Sequence, residues 1–308
     1  MSPLQATAAL AAPPPAALAV PPPMDARVRR DLGRSNAALG LLVVPALLLM
    51  AALLLAPLAW LVGMSFVRDG ALSVANYTRI FGDAFYVGAM LRTLGVALLV
   101  TTICAVFGYL IAYAVTLMPG WASATGLVLV TLPFWTSSLV RTYSWLVLLQ
   151  NRGLVNSWLL KAGVVEQPLQ LVNSLSGTYV GMVHIMLPMM VFPLYAVLRR
   201  IDPTYMRAAM SFGASPTYAF WRVYFPLSRP GLAAGSLIVF VLSLGFYITP
   251  ALLGGGRVAI MSTVIERDIN FNRDWGPASA MSAVFVLAVL AVFALGSRAV
   301  SFERMFQR

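Results

Sequence analysis

The chain has 308 residues, of which 60% are apolar and 10% are charged, and its mean hydropathy is +0.84. A soluble domain carries about 25% charged residues, so a soluble fold of this length would lack the polar surface to cover its core. The same apolar content excludes disorder over the whole chain. The composition therefore indicates an integral membrane protein.

Long apolar runs occur six times along the chain. A spanning helix needs about 20 apolar residues, whereas a barrel strand needs about 9–11 in strict alternation. The runs here are long and do not alternate, so the sequence predicts an all-α membrane protein with six transmembrane helices. The predicted spans cover roughly residues 39–66, 93–117, 125–149, 177–198, 232–253 and 279–299.

The 21 basic residues divide unequally between the two sides that six spans define. Twelve lie on the side of the two termini and of the second and fourth connections, eight lie on the other side, and Arg141 falls within the third span. Because basic residues favour cytoplasmic segments, both termini are expected in the cytoplasm. The net charge of +11 is then explained by topology and by contact with anionic membrane lipids, without nucleic-acid binding.

Residues 1–38 differ from the rest of the chain. They begin with a mixture of alanine and proline, with prolines at positions 3, 13–15 and 21–23, and they lack the basic start of a signal peptide. The sequence predicts a disordered cytoplasmic tail over 1–38 and a transmembrane domain over 39–308. The single cysteine, Cys104, excludes an intramolecular disulfide and is interpreted as a small core residue.

Residues for catalysis or metal binding are missing from the predicted spans. The chain has one histidine, His184, which is interpreted as a hydrogen-bonded packing residue, and no carboxylate lies in a predicted span. A catalytic triad and a zinc site are therefore not expected. A phosphate-binding glycine loop is missing as well, so no catalytic residue and no metal ligand is predicted, and any ATP site would lie on another chain.

The fourth connection, residues 199–231, is the most informative segment. Asp202-Pro203 predicts the start of a short helix, Gly213 its end, and Ser215-Pro216 the start of a second one. Pro226 and Pro230-Gly231 are expected to turn the chain back into the bilayer. Two interpretations of this segment stay open: it is either a docking surface for a partner or an amphipathic connector at the membrane interface. The small residues that would permit close approach are Ala208, Ala209 and Gly213.

The spacing Arg207-Ala-Ala-x3-Gly213-x9-Val223-x-Phe225-Pro226 resembles the E-A-A-x3-G-x9-I-x-L-P loop of type I, binding-protein-dependent ABC-importer permease subunits. Arg207 stands where that family has Glu and reverses its charge, which puts any ion pair made by that Glu in doubt. The resemblance implies an ATPase-coupling loop that is formed by Arg207, Ala208, Ala209, Gly213, Ala214, Ser215, Val223 and Pro226.

Other stretches are similar to the spermidine/putrescine permease branch of that family, including Arg141-Thr-Tyr143-Ser-Trp145, Tyr247-Ile-Thr-Pro250 and Arg273-Asp274-Trp275. The resemblance implies a substrate path formed by Arg141, Tyr143, Tyr247, Pro250 and Asp274. Alternatives remain for several of them. Arg141 either lines the path, pairs across a permease interface, snorkels to the outer surface or hydrogen-bonds to backbone. Tyr247, which is placed on the fifth span, either stacks on a cation or packs. The acids Glu266, Asp268 and Asp274 either attract a cationic substrate or pair locally, the second being favoured, with Arg257, Arg267 and Arg273.

The resemblance also implies partners. They are a second permease subunit, a dimer of cytosolic ATPase subunits that bind ATP and Mg²⁺, and a periplasmic substrate-binding protein, around a multi-pass chain in a bacterial inner membrane. The implied substrates are polyamines such as putrescine and spermidine, or related small organic cations and amino-acid derivatives. A stand-alone secondary transporter and a membrane scaffold without transport activity are the alternatives.

Overall fold

The computed structural model describes residues 26–68 and 70–305, with side chains for 43–68, 70–294 and 296. This part of the chain is almost entirely helical, with one short antiparallel hairpin of two-residue strands. The bounds are α1 Ala26–Ser65, β1 Val67–Arg68, β2 Ala71–Leu72, α2 Ala75–Gly82, α3 Ala84–Leu117, α4 Gly120–Thr131, α5 Ser138–Leu148, α6 Leu154–Lys161, α7 Leu175–Leu198, α8 Pro203–Ser211, α9 Pro216–Ala219, α10 Phe225–Leu244, α11 Ile248–Leu253, α12 Met261–Asn270 and α13 Trp275–Met305.

Five helices of the described part are long and apolar enough to cross a membrane, and a bent pair raises the number to six. The five stretches are Val43–Ser65, Ala84–Leu117, Leu175–Leu198, Pro216–Leu244 and Trp275–Ala294. The bent pair is Gly120–Trp135 with Ser138–Leu148, at an angle of 94°. The predicted all-α fold with six spans is thereby confirmed, with the third span broken.

The break in the third span was not predicted. A 3₁₀ turn over Leu132–Trp135 follows α4, and Thr136 and Ser137 then adopt extended backbone before α5 begins at Ser138. Pro133 supplies the physical reason, because proline has no amide hydrogen for a helical hydrogen bond and crowds the preceding turn. Apolar composition continues through the break, which is why hydropathy alone predicted one straight helix over 125–149.

The fifth span also differs from its predicted range of 232–253. The helix begins at Pro216, includes a π-helical stretch over Phe220–Tyr224, and ends at Leu244. The expectation that Pro226 and Pro230-Gly231 turn the chain was wrong. Pro226 lies in the first turn of α10, where the missing amide costs little, and the wider π-helical turn before it loosens the hydrogen-bond ladder.

Part of the predicted tail, residues 26–38, falls within the described residues. Residues 26–38 form the start of α1, because Pro23 is the last proline before Pro45 and the residues between them are mostly good helix formers. Residues 1–25 lie outside the described residues. The chain divides into two compact units, residues 1–59 and 60–308. The described part of the first unit consists of α1 alone, and the last residues of α1, up to Ser65, belong to the second unit.

Helices α3, α7 and α10 build the main core of the second unit. Val100, Met190, Leu194 and Val239 are fully buried there, together with Cys104, whose thiol donates to the backbone oxygen of Val183 at 3.7 Å. Glycine brings α10 close to α7, since a Cβ atom on Gly235 would lie 2.7 Å from the sulfur of Met190. Close packing on small residues is typical of helices in membranes.

The connections gather into two groups. The first group is called the α2–α12 end and consists of residues 70–83, 149–174 and 245–274. The Ser174 amide donates to the Leu253 oxygen at 3.2 Å, and α2 and α12 share a small core with the start of α3. The second group, called the α8–α9 end, consists of residues 199–224, which follow α7 and lead into α10.

Candidate functional site

The first element of the α8–α9 end is a well-capped short helix. The carboxylate of Asp202 accepts a hydrogen bond from the backbone amide of Thr204 at 2.8 Å, and Pro203 occupies the first helical position. The predicted start of the helix is confirmed. The hydrogen bond from the Thr204 amide, and then that from its side chain, hold the pKa of Asp202 below its usual value, so the carboxylate stays charged at neutral pH.

The turn between α8 and α9 depends on Gly213. Its φ of +89° lies in the left-handed region that favours glycine, and its amide and that of Ala214 bond back to Met210 and Ala209 at 3.0 and 3.2 Å. The Ser215 hydroxyl then accepts from the Tyr218 amide and caps α9. A Cβ atom on Gly213 would meet nothing within 4 Å, so the chain itself needs glycine here for the backbone and not for space.

The turn presents aromatic surface beside a depression. Phe212 is 93% exposed, although an isolated phenylalanine gains free energy from burial. The depression has a volume of about 650 Å³ and is lined by Ala209, Phe212, Gly213, Ala214, Ser215 and Tyr218. Other exposed aromatic side chains of this end are Tyr205, Tyr218 and Trp221. A surface of this kind marks a site of contact with another molecule.

The residues predicted for the coupling loop fall into two places. Arg207, Ala208, Ala209, Gly213, Ala214 and Ser215 lie on α8 and the exposed turn. Arg207 is exposed and donates from Nη2 to the Thr204 hydroxyl at 3.1 Å. Val223 and Pro226 are half-buried where the π-helical stretch passes into α10. The motif therefore covers both the contact surface and its junction with a transmembrane helix.

Aromatic rings at this junction were missed by the sequence analysis. Phe220 stacks on Tyr224 with ring centroids 5.7 Å apart, and it contacts Tyr109 and Tyr113 of α3 edge-on at 6.2 and 5.5 Å. The Tyr109 hydroxyl also shares a 3.0 Å hydrogen bond with Ser228 of α10. The i, i+4 spacing of each aromatic pair was the available signal. The name aromatic junction is used below for Tyr109, Tyr113, Phe220, Tyr224 and Phe225.

Arg141 and Tyr143 lie on opposite faces of α5. Arg141 is on the inner face, next to Thr142, whose hydroxyl is 3.0 Å from that of Thr249 on α11. The Nε and Nη1 atoms of Arg141 are buried and have no hydrogen-bond partner among the described residues. Tyr143 is half exposed on the outer face. Trp145 donates to Nδ1 of His184 at 3.1 Å, in agreement with a hydrogen-bonded packing role for that histidine.

Tyr247 and Pro250 do not lie on the fifth span as expected. That helix ends at Leu244, Tyr247 precedes the short helix α11, and Pro250 is buried within α11. Tyr247 lines a cavity of about 450 Å³ with Glu266, Arg267 and Phe271 among its walls. Desolvation, and then the negative charge of Glu266, raise the pKa of Tyr247. The cavity thus brings a phenol ring next to a carboxylate.

The favoured pairing of Glu266, Asp268 and Asp274 with the arginines of their own loop was wrong. Asp274 pairs with Arg79 of α2 at 2.7 Å, and this contact raises the pKa of Arg79. Asp268 is 1% exposed and accepts hydrogen bonds from the Tyr86 hydroxyl at 3.0 Å and from Asn272 at 2.7 Å. Glu266 accepts from Asn270. Folding brings α2 and α3 to these acids from nearly 200 positions away, which spacing within the loop does not reveal.

The fold is that of the type I ABC-importer permeases. The structure superposes on that of a bacterial ABC transporter involved in the import of the acidic polysaccharide alginate with a TM-score of 0.71, at 16% identity, covering 92% of this chain and 100% of that chain. At this identity the match establishes the fold only.

The chain belongs to the family described as binding-protein-dependent transport system inner membrane component, whose model matches residues 37–307. It is a multi-pass inner-membrane transport component. It is 33% identical over 243 residues to the spermidine/putrescine transport system permease protein PotB of Escherichia coli (strain K12), covering 76% of this chain and 88% of the relative. The PotB of Haemophilus influenzae is also 33% identical, over 73% of this chain and 81% of the relative.

Proposed function

We propose that this chain is one of two permease subunits of an ATP-driven importer of polyamines, and that its α8–α9 end is seated on a cytosolic ATPase. The family and the PotB relatives support transport of spermidine and putrescine as the substrate class. ATP and Mg²⁺ would be bound by the ATPase subunits, and a periplasmic binding protein would deliver the substrate. This chain would form half of the translocation path.

The observation that carries this proposal is the exposed, capped turn of the α8–α9 end. Asp202 and Ser215 cap its two short helices, and the aromatic junction ties it to α3 and α10. A turn that exposes Phe212 and is anchored to two long helices could transmit movement of a bound partner to those helices. When the ATPase subunits close on ATP, movement of the turn would pivot those helices and change the side to which the path is open.

The cavity beside Tyr247 supports a cationic substrate. An aromatic ring attracts an ammonium group through its face, and the carboxylate of Glu266 lines the same cavity. Arg267 also lines it, with its guanidinium group against the ring of Phe85 at 4.6 Å from the centroid. Polyamines carry several ammonium groups at neutral pH. We infer that this cavity holds one of them on its way into the path.

The proposed orientation places both termini and the α8–α9 end in the cytoplasm. The basic residues on that side outnumber those on the other side by twelve to eight, as expected for cytoplasmic segments. The α2–α12 end, with the Tyr247 cavity, would then face the periplasm and the binding protein.

The test is putrescine uptake into proteoliposomes that contain the whole importer, with its binding protein outside and ATP inside. Uptake is expected to require ATP and both permease chains. The variant Glu266→Gln is expected to raise the half-saturating putrescine concentration about tenfold, which corresponds to about 1.4 kcal/mol, because it removes the charge partner of an ammonium group.

The matched control is Glu166→Gln, which removes an exposed carboxylate from another connection of the α2–α12 end and should leave uptake unchanged. Uptake by the isolated chain without an ATPase would contradict the importer and favour a secondary transporter. ATP-driven uptake of another solute but not of putrescine would remove the polyamine assignment and keep the permease. Unchanged putrescine affinity in Glu266→Gln would remove only the role of the cavity.

A further inference from the structure

Arginine dominates the charge of the α8–α9 end and its flanks. Five arginines lie between residues 199 and 229, and Asp202 is the one acid in that range. Asp202 is occupied by the amide of Thr204, whose helix it caps. The range from 199 to 229 therefore carries a net charge of +4.

Three of these guanidinium groups are held in place by neutral partners. Arg199 donates from Nη1 to the Tyr195 hydroxyl at 2.9 Å, Arg207 donates to the Thr204 hydroxyl, and the guanidinium carbon of Arg222 lies 5.7 Å from the ring centroid of Tyr218. No carboxylate of the described residues lies within 4.0 Å of the three groups. Asp202 attracts Arg207 at longer range, but none of the three guanidinium groups forms an ion pair with a carboxylate of the described residues.

Arg207 is the arginine best placed for contact with a partner. It lies on α8, which has no buried residue, and the exposed ring of Phe212 and the depression of about 650 Å³ follow directly in the chain. Arginine and aromatic side chains are the residue types enriched in protein interfaces and in their energetic centres. The charge and shape of this surface together specify the complementary surface of its partner.

We propose that the ATPase subunit receives the α8–α9 end in an acidic groove, in which a carboxylate pairs with Arg207 and an apolar pocket holds Phe212. This inference rests on the proposed function and adds the chemistry of the partner surface. Attraction between the two surfaces would speed their association and would exclude ATPase subunits with a basic groove.

The test measures binding of the importer's own ATPase subunit to the two purified permease chains in nanodiscs of neutral phosphatidylcholine. Wild-type affinity is expected to fall as sodium chloride rises, because salt screens exposed charges. Arg207→Glu is expected to weaken binding at least tenfold at low salt, since it replaces attraction by repulsion. Arg207→Gln is expected to lie between the two and to depend less on salt.

Arg152→Glu is the matched control, because it makes the same charge change at an exposed position of the α2–α12 end, and it should bind the ATPase as wild type does. Changing an acidic residue of the ATPase groove to Arg should restore binding of Arg207→Glu. Recovery of the permease chains in normal yield and at normal size shows that a variant has folded. Arg207→Lys, which keeps the charge, should bind within about threefold of wild type.

Equal binding by Arg207→Glu and wild type at every salt concentration would overturn the acidic groove, as would tighter binding by Arg207→Glu. An effect of Arg207 that arises only in nanodiscs with anionic phosphatidylglycerol would assign it to lipid head groups and overturn the inference. Failure of the wild-type chains to bind the ATPase at low salt would contradict the proposed function itself.

Discussion

The two ends of the molecule differ in whether their charged groups and aromatic rings find partners within the chain. At the α2–α12 end, Asp268 is buried with two hydrogen-bond donors and Asp274 pairs with Arg79. At the α8–α9 end, Arg207 donates to the neutral hydroxyl of Thr204 and forms no ion pair among the described residues, and Phe212 is 93% exposed. The first end is satisfied by its own chain, whereas the second leaves charge and apolar surface for another molecule.

This difference indicates which end of the molecule depends on contacts with other subunits. Substitutions at the α2–α12 end should lower the stability of the chain, because they break contacts within it. Substitutions at the α8–α9 end should separate ATP hydrolysis from transport, because this end carries the proposed contact with the ATPase and its link to α3 and α10. Three variants test this separation, beginning with the largest expected effect.

The variant Gly213→Trp should abolish coupling. The position has a left-handed backbone, and an added Cβ atom would meet nothing within 4 Å. A tryptophan there would extend from the turn into the space proposed for the partner, and the backbone strain adds about 1–2 kcal/mol. Uptake by the whole importer should fall more than tenfold, while the amount of chain in the membrane stays normal. Both quantities are measured on the same vesicles.

Gly163→Trp provides the control for Gly213→Trp. Gly163 also has a positive φ, of 67°, and open space around it, but it lies at the α2–α12 end. Its replacement carries the same kind of backbone strain without blocking the ATPase, so uptake should stay within about twofold of wild type. Normal transport by a correctly inserted Gly213→Trp importer would refute the proposed role of the turn.

The variant Phe220→Ala should uncouple the importer in part. It removes the ring that joins Tyr109, Tyr113 and Tyr224, so movement of the turn should reach α3 and α10 less completely. The number of putrescine molecules transported per ATP hydrolysed is expected to fall about three- to fivefold, with the ATPase still bound. The ratio is measured from parallel uptake and phosphate-release assays.

Phe107→Ala is the control for Phe220→Ala, because Phe107 is an exposed aromatic residue of α3, the helix that carries Tyr109 and Tyr113. It should leave the transport ratio unchanged. If both variants lower the ratio equally, the aromatic junction has no special part in coupling. If Phe220→Ala lowers the chain's abundance instead, the junction is structural.

The variant Asp268→Asn should affect stability most and coupling least. It leaves a buried site with too many hydrogen-bond donors, since Tyr86 and Asn272 both donate to the carboxylate, and one unmet buried group costs about 1–3 kcal/mol. The thermal midpoint of the purified importer should fall, while the transport ratio at 25 °C is kept. Asn270→Ala, at an exposed position of the same helix, should leave the midpoint unchanged; a lower transport ratio with an unchanged midpoint would contradict the division between the two ends.

Much of the fold follows from local patterns. Hydropathy predicted the number of spans because lipid demands about 20 apolar residues per helix wherever the neighbours lie. Asp202-Pro203, Gly213 and Ser215-Pro216 predicted the helix ends of the α8–α9 end, because caps and a positive φ are decided within a few residues. The break at Pro133 and the end of the fifth span at Leu244 were missed, since apolar composition runs through both.

The candidate site was predictable in part for the same reason. The coupling motif marked α8 and the turn, but the aromatic junction joins rings from positions 109–113 and 220–225, and no local pattern states which residues meet. The residues proposed for the path lie in three separate places: two on α5, two at α11, and Asp274 in its ion pair with Arg79. Their resemblance to a family motif did not reveal this division.

The sequence by itself determined the class of protein, the spans and the turn that α8 and α9 present, because each depends on solvent preference or on bonds between near neighbours. Only the tertiary structure decided that Asp274 pairs with Arg79 and that Asp268 is buried beside Tyr86. These contacts join distant helices, and packing of those helices places them together.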